Sequence, residues 1–278
     1  MRRFFAALVA VAMMATLFAS CGGAPAVEKT ADIGTAVADD SLKKVQDKGT
    51  FVLGFDENFP PMGYKEGGQY TGFDIQVATE LFGRLGIGLK LQPIDWKANI
   101  MELESGNVDC LWNGVTITDE RSKQILFSDA YLNNEQVVVV MDKSNIKSLA
   151  ELKGKKLGIQ SGSSANVALD AKADFKSSLG EVVSFKDNMT ALMDLETGGL
   201  DAVLLDSIVA GYNITMSKKP YRILSESLGS EKYGIGFRKN DVALRDAVNA
   251  ELKKMADDGS LARISTKWFT KDITTIGK

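Results

Sequence analysis

The sequence predicts an α/β protein of two domains, in which the second domain is inserted into the first. Strand-like apolar runs alternate with helical periodicity across residues 51–112, and the alternation recurs across residues 156–206. This rhythm is typical of a sheet whose two faces are covered by crossover helices. Between the two alternations lies a continuous β-branched run at residues 136–141, and residues 233–237 then form a strand that returns to the first domain.

The elements of the first domain follow from periodicity and caps. Asp74 and Asp95 each precede a run with helical spacing, so each is predicted to be an N-cap, and Gly106 ends the second helix. The predicted elements are a short helix from Ser41, strand 51–55, a helix over 75–85, strand 89–93, helix 96–105 and strand 108–112.

The second domain repeats the pattern, and two C-terminal helices complete the first. The predicted elements are a short helix at 148–152, strand 156–160, a helix from near Ala165, strand 182–185, helix 188–197, strand 202–205, strand 221–224, and helices 241–257 and 261–268. The first domain spans 41–135 and 232–278, and the second spans 136–231. The chain crosses between them near 135–140 and near 225–233. Two crossings make a hinge, so a ligand is expected in the cleft.

Residues 1–20 have the pattern of a secretory signal. Arg2 and Arg3 form a basic start, and the uncharged apolar run that follows is too short to assign as a spanning helix. The segment ending at Cys21 resembles a lipobox, which predicts that Cys21 becomes a lipid-modified N-terminus; the alternative is an ordinary secretory signal with an incidental cysteine. Residues 21–40 are small and polar, which predicts a flexible tether.

Composition limits the classes of function that the chain can have. With 278 residues, 45% of them hydrophobic, it suits a globular protein of one or two domains. The net charge is −3, and −5 once Arg2 and Arg3 leave with the signal, which does not suggest nucleic-acid binding. The chain has no His, so we expect neither metal nor cofactor. Cys110 lies in an apolar run, which predicts a buried, inert thiol without a disulfide.

Residues 112–121 join a buried strand to a helical turn. Thr118 suits an N-cap, because its hydroxyl can accept an N–H from the first turn. Arg121 then stands at the third helical position, where free backbone N–H groups already favour an anion. Its guanidinium would grip a carboxylate through two parallel hydrogen bonds. The alternative is an exposed arginine neutralised by one of the nearby carboxylates, those of Asp119, Glu120 and Asp129.

Aromatic and acidic side chains of the first domain are candidates for the cleft. Asp56 follows the first strand directly. Phe59 and Trp96 offer flat apolar faces that would enclose a carbon chain or stack on a cation, although both also suit core or rim packing.

Short polar residues supply the remaining candidates. Asn113, Gly114 and Thr116 lead towards Arg121, and Gly114 permits close approach to the backbone because it has no Cβ. Ser164 stands at a helix start that suits either an anion or plain N-capping by Ser163 or Ser164. Asp206 ends a buried strand at the edge where open α/β sheets bind ligands, and it also suits the N-cap of the next helix.

The order of short motifs resembles a known family. The motifs are Gly54-Phe55-Asp56, Phe59-Pro60-Pro61, Gly72-Phe73-Asp74, Asp95-Trp96, the segment from Asn113 to Arg121, and Phe127-Ser128-Asp129-Ala130-Tyr131. Their order and spacing over residues 42–269 resemble the family 3 extracellular solute-binding proteins, the amino-acid receptors of ABC importers. The resemblance implies a two-lobed periplasmic-binding-protein-like fold of type II. One departure is Gln76, which stands where an acid usually follows and is expected to face away from the site.

The resemblance also implies roles for individual residues. In that family the segment that matches Thr118 to Arg121 holds the α-carboxylate of the ligand, the loop of Ser164 closes over it, and the acid that matches Asp206 holds the α-ammonium. Two acids in the cleft, Asp56 and Asp206, then favour a polar neutral or a cationic amino acid.

The whole chain is therefore expected to be a receptor and not an enzyme. It would be a monomer, anchored through lipid on Cys21 to the extracytoplasmic face of the membrane (the periplasm in a two-membrane bacterium). There it would deliver a free amino acid to ABC permease subunits. Two alternatives stay open, because the same fold serves a dehydratase acting on cyclohexadienyl acids and the ligand-sensing partners of membrane signalling proteins.

Overall fold

The structure is a computed structural model that describes residues 39–278. The predicted signal, Cys21 and nearly all of the predicted tether lie outside the described residues. The strands are β1 (Thr50–Phe55), β2 (Asn58–Phe59), β3 (Gly63–Glu66), β4 (Gln69–Thr71), β5 (Gly88–Pro93), β6 (Cys110–Thr116), β7 (Ile125–Phe127), β8 (Leu132–Met141), β9 (Lys156–Gln160), β10 (Glu181–Phe185), β11 (Ala202–Asp206) and β12 (Tyr221–Arg238).

Ten α-helices accompany these strands in the described part of the chain. They are α1 (Ser41–Lys48), α2 (Phe73–Arg84), α3 (Asn99–Glu104), α4 (Asp119–Gln124), α5 (Ser164–Asp170), α6 (Ala173–Ser178), α7 (Asn188–Thr197), α8 (Ser207–Thr215), α9 (Val242–Asp257) and α10 (Ser260–Phe269). Two short 3-10 turns, Trp96–Ala98 and Leu149–Leu152, occur where the sequence predicts helices.

The sheet topology gives the two-lobed α/β fold that the sequence predicts. The strand order is β10-β9-β11-β8-β12-β6-β1-β5, with β7 beside β12. On one side, β9, β10 and β11 with α5 to α8 form the second lobe; on the other, β1, β5, β6 and β7 with the remaining helices form the first. The chain enters the second lobe through β8 and leaves it through β12, and these two strands pair antiparallel from Leu132–Tyr233 to Met141–Tyr221. The second lobe is thus inserted into the first through two long crossing strands.

Strand β6 is longer than the sequence predicts. All seven of its residues are buried, and it continues through Asn113, Gly114 and Thr116, which were expected in a connection after the strand. Gly114 interrupts the strand-like sequence pattern with φ of 62°, but β12 pairs across it at Tyr233–Thr116 and Gly234–Val115. The antiparallel partner therefore extends the strand beyond the predicted end at residue 112.

The predicted role of Asp74 as a helix cap is wrong. Helix α2 begins two residues earlier than predicted, at Phe73 after Gly72, which has no side chain to cap it. The Asp74 carboxylate is fully buried and accepts hydrogen bonds from the Gly114 N–H and the Tyr131 hydroxyl, both at 2.9 Å. Donors on β6 and just before β8 thus bind the carboxylate, in place of the backbone N–H groups in the first turn of α2.

The three-stranded sheet of β2, β3 and β4 and helix α6 lie where the sequence analysis placed no element. The sequence predicts that the helical turn after Arg121 continues to Phe127, and this is wrong beyond residue 124, because Ile125–Phe127 form strand β7 against β12. The two strands predicted at 221–224 and 233–237 are parts of the single strand β12. Gln76 lies away from the cleft, where its side-chain oxygen accepts from Lys267 Nζ and Trp268 Nε1 and joins α2 to α10.

Large apolar side chains fix the first lobe in place. Phe51 of β1 stacks on Phe82 of α2 with ring centroids 4.0 Å apart, and both are fully buried. Burial of one such side chain is worth about 1.5–3 kcal/mol. Cys110 is buried and free, as predicted, and burial raises the pKa of its thiol well above the usual value.

Residues 39–278 contain neither a candidate membrane-spanning helix nor a candidate metal cluster. None of the helices there combines the length and apolarity needed to cross a membrane. The same residues contain no cluster of His, Cys, Asp and Glu that would hold a metal ion.

Candidate functional site

The arginine of the strand–helix junction is held by the cap that the sequence predicts. Thr118 Oγ1 accepts the Arg121 N–H at 3.1 Å, and Arg121 is the third residue of α4. Its guanidinium donates from Nη1 to the Thr116 carbonyl at 3.1 Å and from Nη2 to the Gly162 carbonyl at 3.0 Å. Arg121 therefore spans the two lobes.

The carboxylates near Arg121 in the sequence do not neutralise it. Within the described residues, Asp119, Glu120 and Asp129 form no ion pair with its guanidinium, whose two hydrogen bonds go to carbonyls. Burial lowers the pKa of Arg121, and the charges of Glu231 and Asp206 oppose that shift. A guanidinium has five donors and always keeps its charge, so three donors remain for an anion.

A small cavity between the lobes gathers most of the predicted side chains. It is lined by Phe59, Trp96, Asn113, Gly114 and Arg121 from the first lobe and by Gln160, Ser163, Ser164 and Asp206 from the second. The volume left between them is about 10 Å³, roughly that of one water probe. Entry of a larger ligand therefore requires the lobes to move apart.

A larger groove of about 700 Å³ lies beside the hinge strands, lined among others by Asn133, Glu135 and Lys232. It is open to solvent and contains neither Arg121 nor Asp206. We assign the candidate site to the smaller cavity, because it combines a guanidinium, a buried carboxylate and two aromatic faces between the lobes, where ligands of α/β proteins bind.

Asp206 provides the buried carboxylate of the cavity. It ends β11, and its Oδ1 accepts from Asn134 Nδ2 at 2.6 Å, Gln136 Nε2 at 3.0 Å and the Tyr233 hydroxyl at 2.7 Å. Asp206 occupies the N-cap position of α8 but makes no side-chain cap bond there. Burial, followed by the charge of Glu231, raises the pKa of Asp206 to about 7.

Asp56 lies behind the cavity wall. It follows β1, is buried, and its two oxygens accept from the Asn58 N–H at 2.9 Å and from Gln160 Nε2 at 2.6 Å. Gln160 lies in the second lobe, so this bond crosses the cleft. Burial raises the pKa of Asp56 to about 6.

Gly114 allows the rings of Tyr233 and Phe59 to approach the backbone at the cavity. A Cβ at this position would lie 2.9 Å from Tyr233 Cε2 and 3.0 Å from Phe59 Cε1, and φ is 62°. The N–H is fixed by Asp74, whose pKa burial raises to about 7. Only glycine meets both the backbone conformation and the lack of space.

Hydroxyl groups join the lobes beside the cavity. Thr116 Oγ1 and Ser164 Oγ are 3.0 Å apart. Thr116 does not line the cavity, but its carbonyl holds Arg121. Ser163 precedes α5 without a side-chain cap bond, and its hydroxyl donates to the Gln160 carbonyl at 2.8 Å.

The two aromatic candidates are packed in the protein interior and also line the cavity. Phe59 and Trp96 are 5% and 7% exposed, and both line the cavity. Asn113 lines it as well, and its Oδ1 accepts the Asp56 N–H at 3.1 Å.

Four residues of this region were missed by the sequence analysis: Asn134, Gln136, Gln160 and Glu231. One signal was available, since Gln160 is a polar residue at the end of buried strand β9, as Asp206 is at the end of β11. The three on β8 and β12 gain their positions from strand pairing, which places Asn134 opposite Glu231.

Comparison with known proteins gives a family match across this architecture. The family model described as "Bacterial extracellular solute-binding proteins, family 3" matches residues 51–271. The matched residues include all nine that line the cavity.

Named relatives and solved structures agree with this match. The L-cystine-binding protein TcyJ of Escherichia coli K12 is 31% identical and covers 84% of this chain and 87% of its own. The arginine-binding extracellular protein ArtP of Bacillus subtilis is 32% identical and covers 80% and 87%. A substrate-binding protein of an ABC uptake transporter from Streptococcus pneumoniae, solved with bound histidine, is 35% identical with a TM-score of 0.82 and covers 86% and 99%.

Proposed function

Because the chain belongs to family 3 of the bacterial extracellular solute-binding proteins, we propose that it binds one free amino acid between its lobes and delivers it to the permease of an ABC importer. One observation carries the proposal: Arg121 of the first lobe and Asp206 of the second line the same cavity. An α-amino acid carries two opposite charges, and each needs a partner when it is buried. Arg121 takes the α-carboxylate and Asp206 takes the α-ammonium.

The other predicted residues complete the site. Phe59 and Trp96 enclose the carbon chain of the ligand, while Asn113, Gly114 and Ser164 line its polar end. Asp56 and Thr116 do not line the cavity. Asp56 holds the side chain of Gln160, and the Thr116 carbonyl holds Arg121.

The two lobes close on the ligand by moving about β8 and β12. The boundaries between the lobes lie between residues 135 and 136 and between residues 231 and 232. A ligand that touches both lobes favours the closed state by its differential affinity for that state. Closure also removes water, which strengthens both ion pairs.

The charges around the cavity favour a cationic amino acid over an acidic one. The α-carboxylate and α-ammonium compensate Arg121 and Asp206, which leaves Asp56 as a further acid behind Gln160. The relatives named for arginine and histidine agree with a cationic ligand, and the one named for cystine keeps a polar neutral ligand open.

A thermal-shift screen tests the proposal with the twenty common amino acids, cystine and ornithine. A ligand at a hundredfold excess over Kd adds about 2.7 kcal/mol to the unfolding free energy. We expect arginine, lysine, ornithine or histidine to raise the unfolding temperature, and aspartate and glutamate to leave it unchanged. No shift with any of them would contradict a receptor for free amino acids.

A second assay separates binding from turnover. The ligands found in the screen, together with arogenate and prephenate, are incubated with the pure protein. We expect every compound to be recovered unchanged. An aromatic product from arogenate or prephenate would instead identify a cyclohexadienyl dehydratase.

We also propose that the mature chain is a monomer anchored by lipid on Cys21, on the extracytoplasmic face of the membrane. Cys21→Ser should move the protein from the membrane fraction to the soluble fraction. Cys110→Ala is the matched control, because this buried thiol has no part in anchoring, and it should stay with the membrane. Equal distribution of wild type and Cys21→Ser would exclude the anchor.

A further inference from the structure

Glu231 lies where the two hinge strands pass between the lobes, and the function proposed above gives it no role. It belongs to β12, is half-buried, and pairs with Asn134 of β8. Its Oε2 lies within hydrogen-bond distance of four side-chain donors: Thr116 Oγ1 at 2.9 Å, Gln136 Nε2 at 3.0 Å, Asn134 Nδ2 at 3.1 Å and Ser164 Oγ at 3.3 Å. Oε2 is thus a common acceptor for donors from β6, β8 and α5.

Two of these donors come from opposite sides of the cleft. Thr116 lies on β6 of the first lobe, and Ser164 begins α5 of the second. Their oxygens are 3.0 Å apart, yet each hydroxyl has a single hydrogen. When both hydrogens point at Glu231, the carboxylate joins the lobes through Thr116 and Ser164. This contact exists only while the lobes are together.

The remaining two donors connect Glu231 to Asp206. Asn134 Nδ2 lies 2.6 Å from Asp206 Oδ1 and 3.1 Å from Glu231 Oε2. Gln136 Nε2 lies 3.0 Å from each acid. An amide nitrogen carries two hydrogens, so Asn134 can donate one to each carboxylate. Glu231 and Asp206 therefore share both amides, alongside the Ser207 hydroxyl that donates to Asn134 Oδ1 at 3.0 Å and the Ser164 hydroxyl 3.1 Å from Gln136 Nε2.

The consequence concerns the free oxygen of Asp206. Its Oδ1 is occupied by Asn134, Gln136 and Tyr233, whereas no side-chain donor within residues 39–278 contacts Oδ2. An amide that rotated away from Oδ1 would let the carboxylate turn, and Oδ2 would lose its fixed direction.

We propose that Glu231 is a positioning residue of the amino-acid site, which orients Asp206 through Asn134 and Gln136 and holds Thr116 and Ser164 together in the closed state. This rests on the proposed function, because it assumes that Asp206 receives the ligand's α-ammonium. Glu231 itself does not touch the ligand.

The test compares three variants with wild type, using the ligand that gives the largest shift in the amino-acid screen. Glu231→Ala removes the carboxylate, Glu231→Gln keeps an acceptor without the charge, and Glu135→Gln is the matched control. Glu135 is exposed, lies opposite Ser230 of β12, and its side chain has no hydrogen bond in the described structure.

Calorimetry and stopped-flow mixing should separate positioning from general structure. We expect Glu231→Ala to raise Kd at least about tenfold, mainly through faster dissociation, with Glu231→Gln in between and Glu135→Gln within about twofold of wild type. The unfolding temperature of the unliganded variants should stay within about 3 °C of wild type, a change of about 1 kcal/mol.

A double-mutant cycle tests whether Glu231 acts through Thr116. Thr116→Val removes the hydroxyl and should weaken binding in wild type but much less in Glu231→Ala. Binding of Glu231→Ala within about threefold of wild type, or fully additive effects with Thr116→Val, would overturn the positioning role. If wild type binds no amino acid, the proposed function fails as well; if wild type binds and Glu231→Ala binds equally, only the inference about Glu231 fails.

Discussion

Nη2 of Arg121 lies 3.0 Å from the carbonyl oxygen of Gly162, so one side chain from the first lobe touches the loop before α5 in the second. The other terminal nitrogen, Nη1, is held by Thr116 at 3.1 Å in its own lobe. A charged group that bridges the lobes responds both to an anion in the cavity and to closure. On the proposed function, Arg121 would couple ligand binding to lobe movement.

Asp206→Asn should weaken ligand binding without unfolding the protein. The amide oxygen can still accept from Asn134, Gln136 and Tyr233, but the negative charge for the ligand's ammonium is gone. Since the side chain makes no cap bond to α8, the helix loses nothing. We expect at least a tenfold rise in Kd, about 1.4 kcal/mol or more, by calorimetry. Unchanged affinity in a folded variant would place the ammonium partner elsewhere.

Ligand affinity should fall as the pH falls below 7. Burial raises the pKa of Asp206 to about 7, so below that pH its carboxyl must release a proton before it can pair with an ammonium. We expect Kd to rise steadily from pH 8 to pH 5.5, with protons released on binding near pH 6. Calorimetry in buffers of different ionisation enthalpy measures both. Asp206→Asn serves as the control and should show a flatter profile.

Stability of the unliganded protein should change with pH in the opposite direction. The folded-state pKa values of Asp74 and Asp206, both about 7, exceed the ordinary value of 3.8. A raised folded pKa stabilises fully below pH 4, and that contribution is lost as the pH rises to 7. Urea unfolding should therefore give a lower free energy at pH 8 than at pH 5. A stability that rises over this interval would contradict the raised pKa values.

Substitutions of Asp74 separate its hydrogen bonds from its charge. Asp74→Asn keeps an oxygen for the Gly114 N–H and the Tyr131 hydroxyl, and it removes a titrating buried group. Its stability should depend less on pH than that of wild type. Asp74→Ala leaves the Tyr131 hydroxyl without an acceptor, whereas the Gly114 N–H keeps that hydroxyl at 3.3 Å, so the cost should be about 1–3 kcal/mol, the range for one buried unsatisfied group. Equal stability of the two variants in urea would contradict this role.

Gly114→Ala should damage the site beyond the strain of its backbone. The new Cβ would meet Tyr233 and Phe59 at about 3 Å. Gly67→Ala is the matched control, because Gly67 has φ of 56° and nothing within 4 Å of the Cβ position. Both variants carry backbone strain of about 1 kcal/mol, and only Gly114→Ala should also weaken ligand binding. Similar losses of affinity in the two variants would rule out the crowding argument.

Local rules predicted where Arg121 and Asp206 lie in the fold, and the family resemblance supplied the ligand roles expected of them. The Thr118 cap fixes the first at a helix start, and a buried apolar strand ends at the second. Asp74 was misassigned because the capping rule considers only neighbouring backbone, whereas the Gly114 N–H that it accepts lies 40 residues away.

The hinge residues could not be predicted in the same way. Glu231 and Asn134 meet through the register of β8 and β12, which no local pattern specifies. Gln160 could have been predicted, because it is a polar residue at the end of buried strand β9, as Asp206 is at the end of β11. The family resemblance gave the residues that are expected to face the ligand but not the polar network behind them.

The central claim is that the Arg121 guanidinium binds the α-carboxylate of the ligand, an interaction called here the carboxylate clamp. Substitution of Arg121 tests it most directly. Arg121→Ala would leave the ligand's carboxylate unpaired in a closed cleft, at a cost of about 3–5 kcal/mol. Arg121→Lys keeps the charge but loses the planar fork, so it should bind poorly as well. Lys123→Ala, an exposed cation on the same helix, is the matched control and should bind like wild type.

The measurement is calorimetry of wild type and these three variants with the ligand that gives the largest shift in the amino-acid screen. Circular dichroism first establishes that each variant is folded. The clamp predicts that Kd of Arg121→Ala rises at least a few hundredfold, as about 3–5 kcal/mol requires. A folded Arg121→Ala that binds within about threefold of wild type would contradict it and move the carboxylate site away from Arg121.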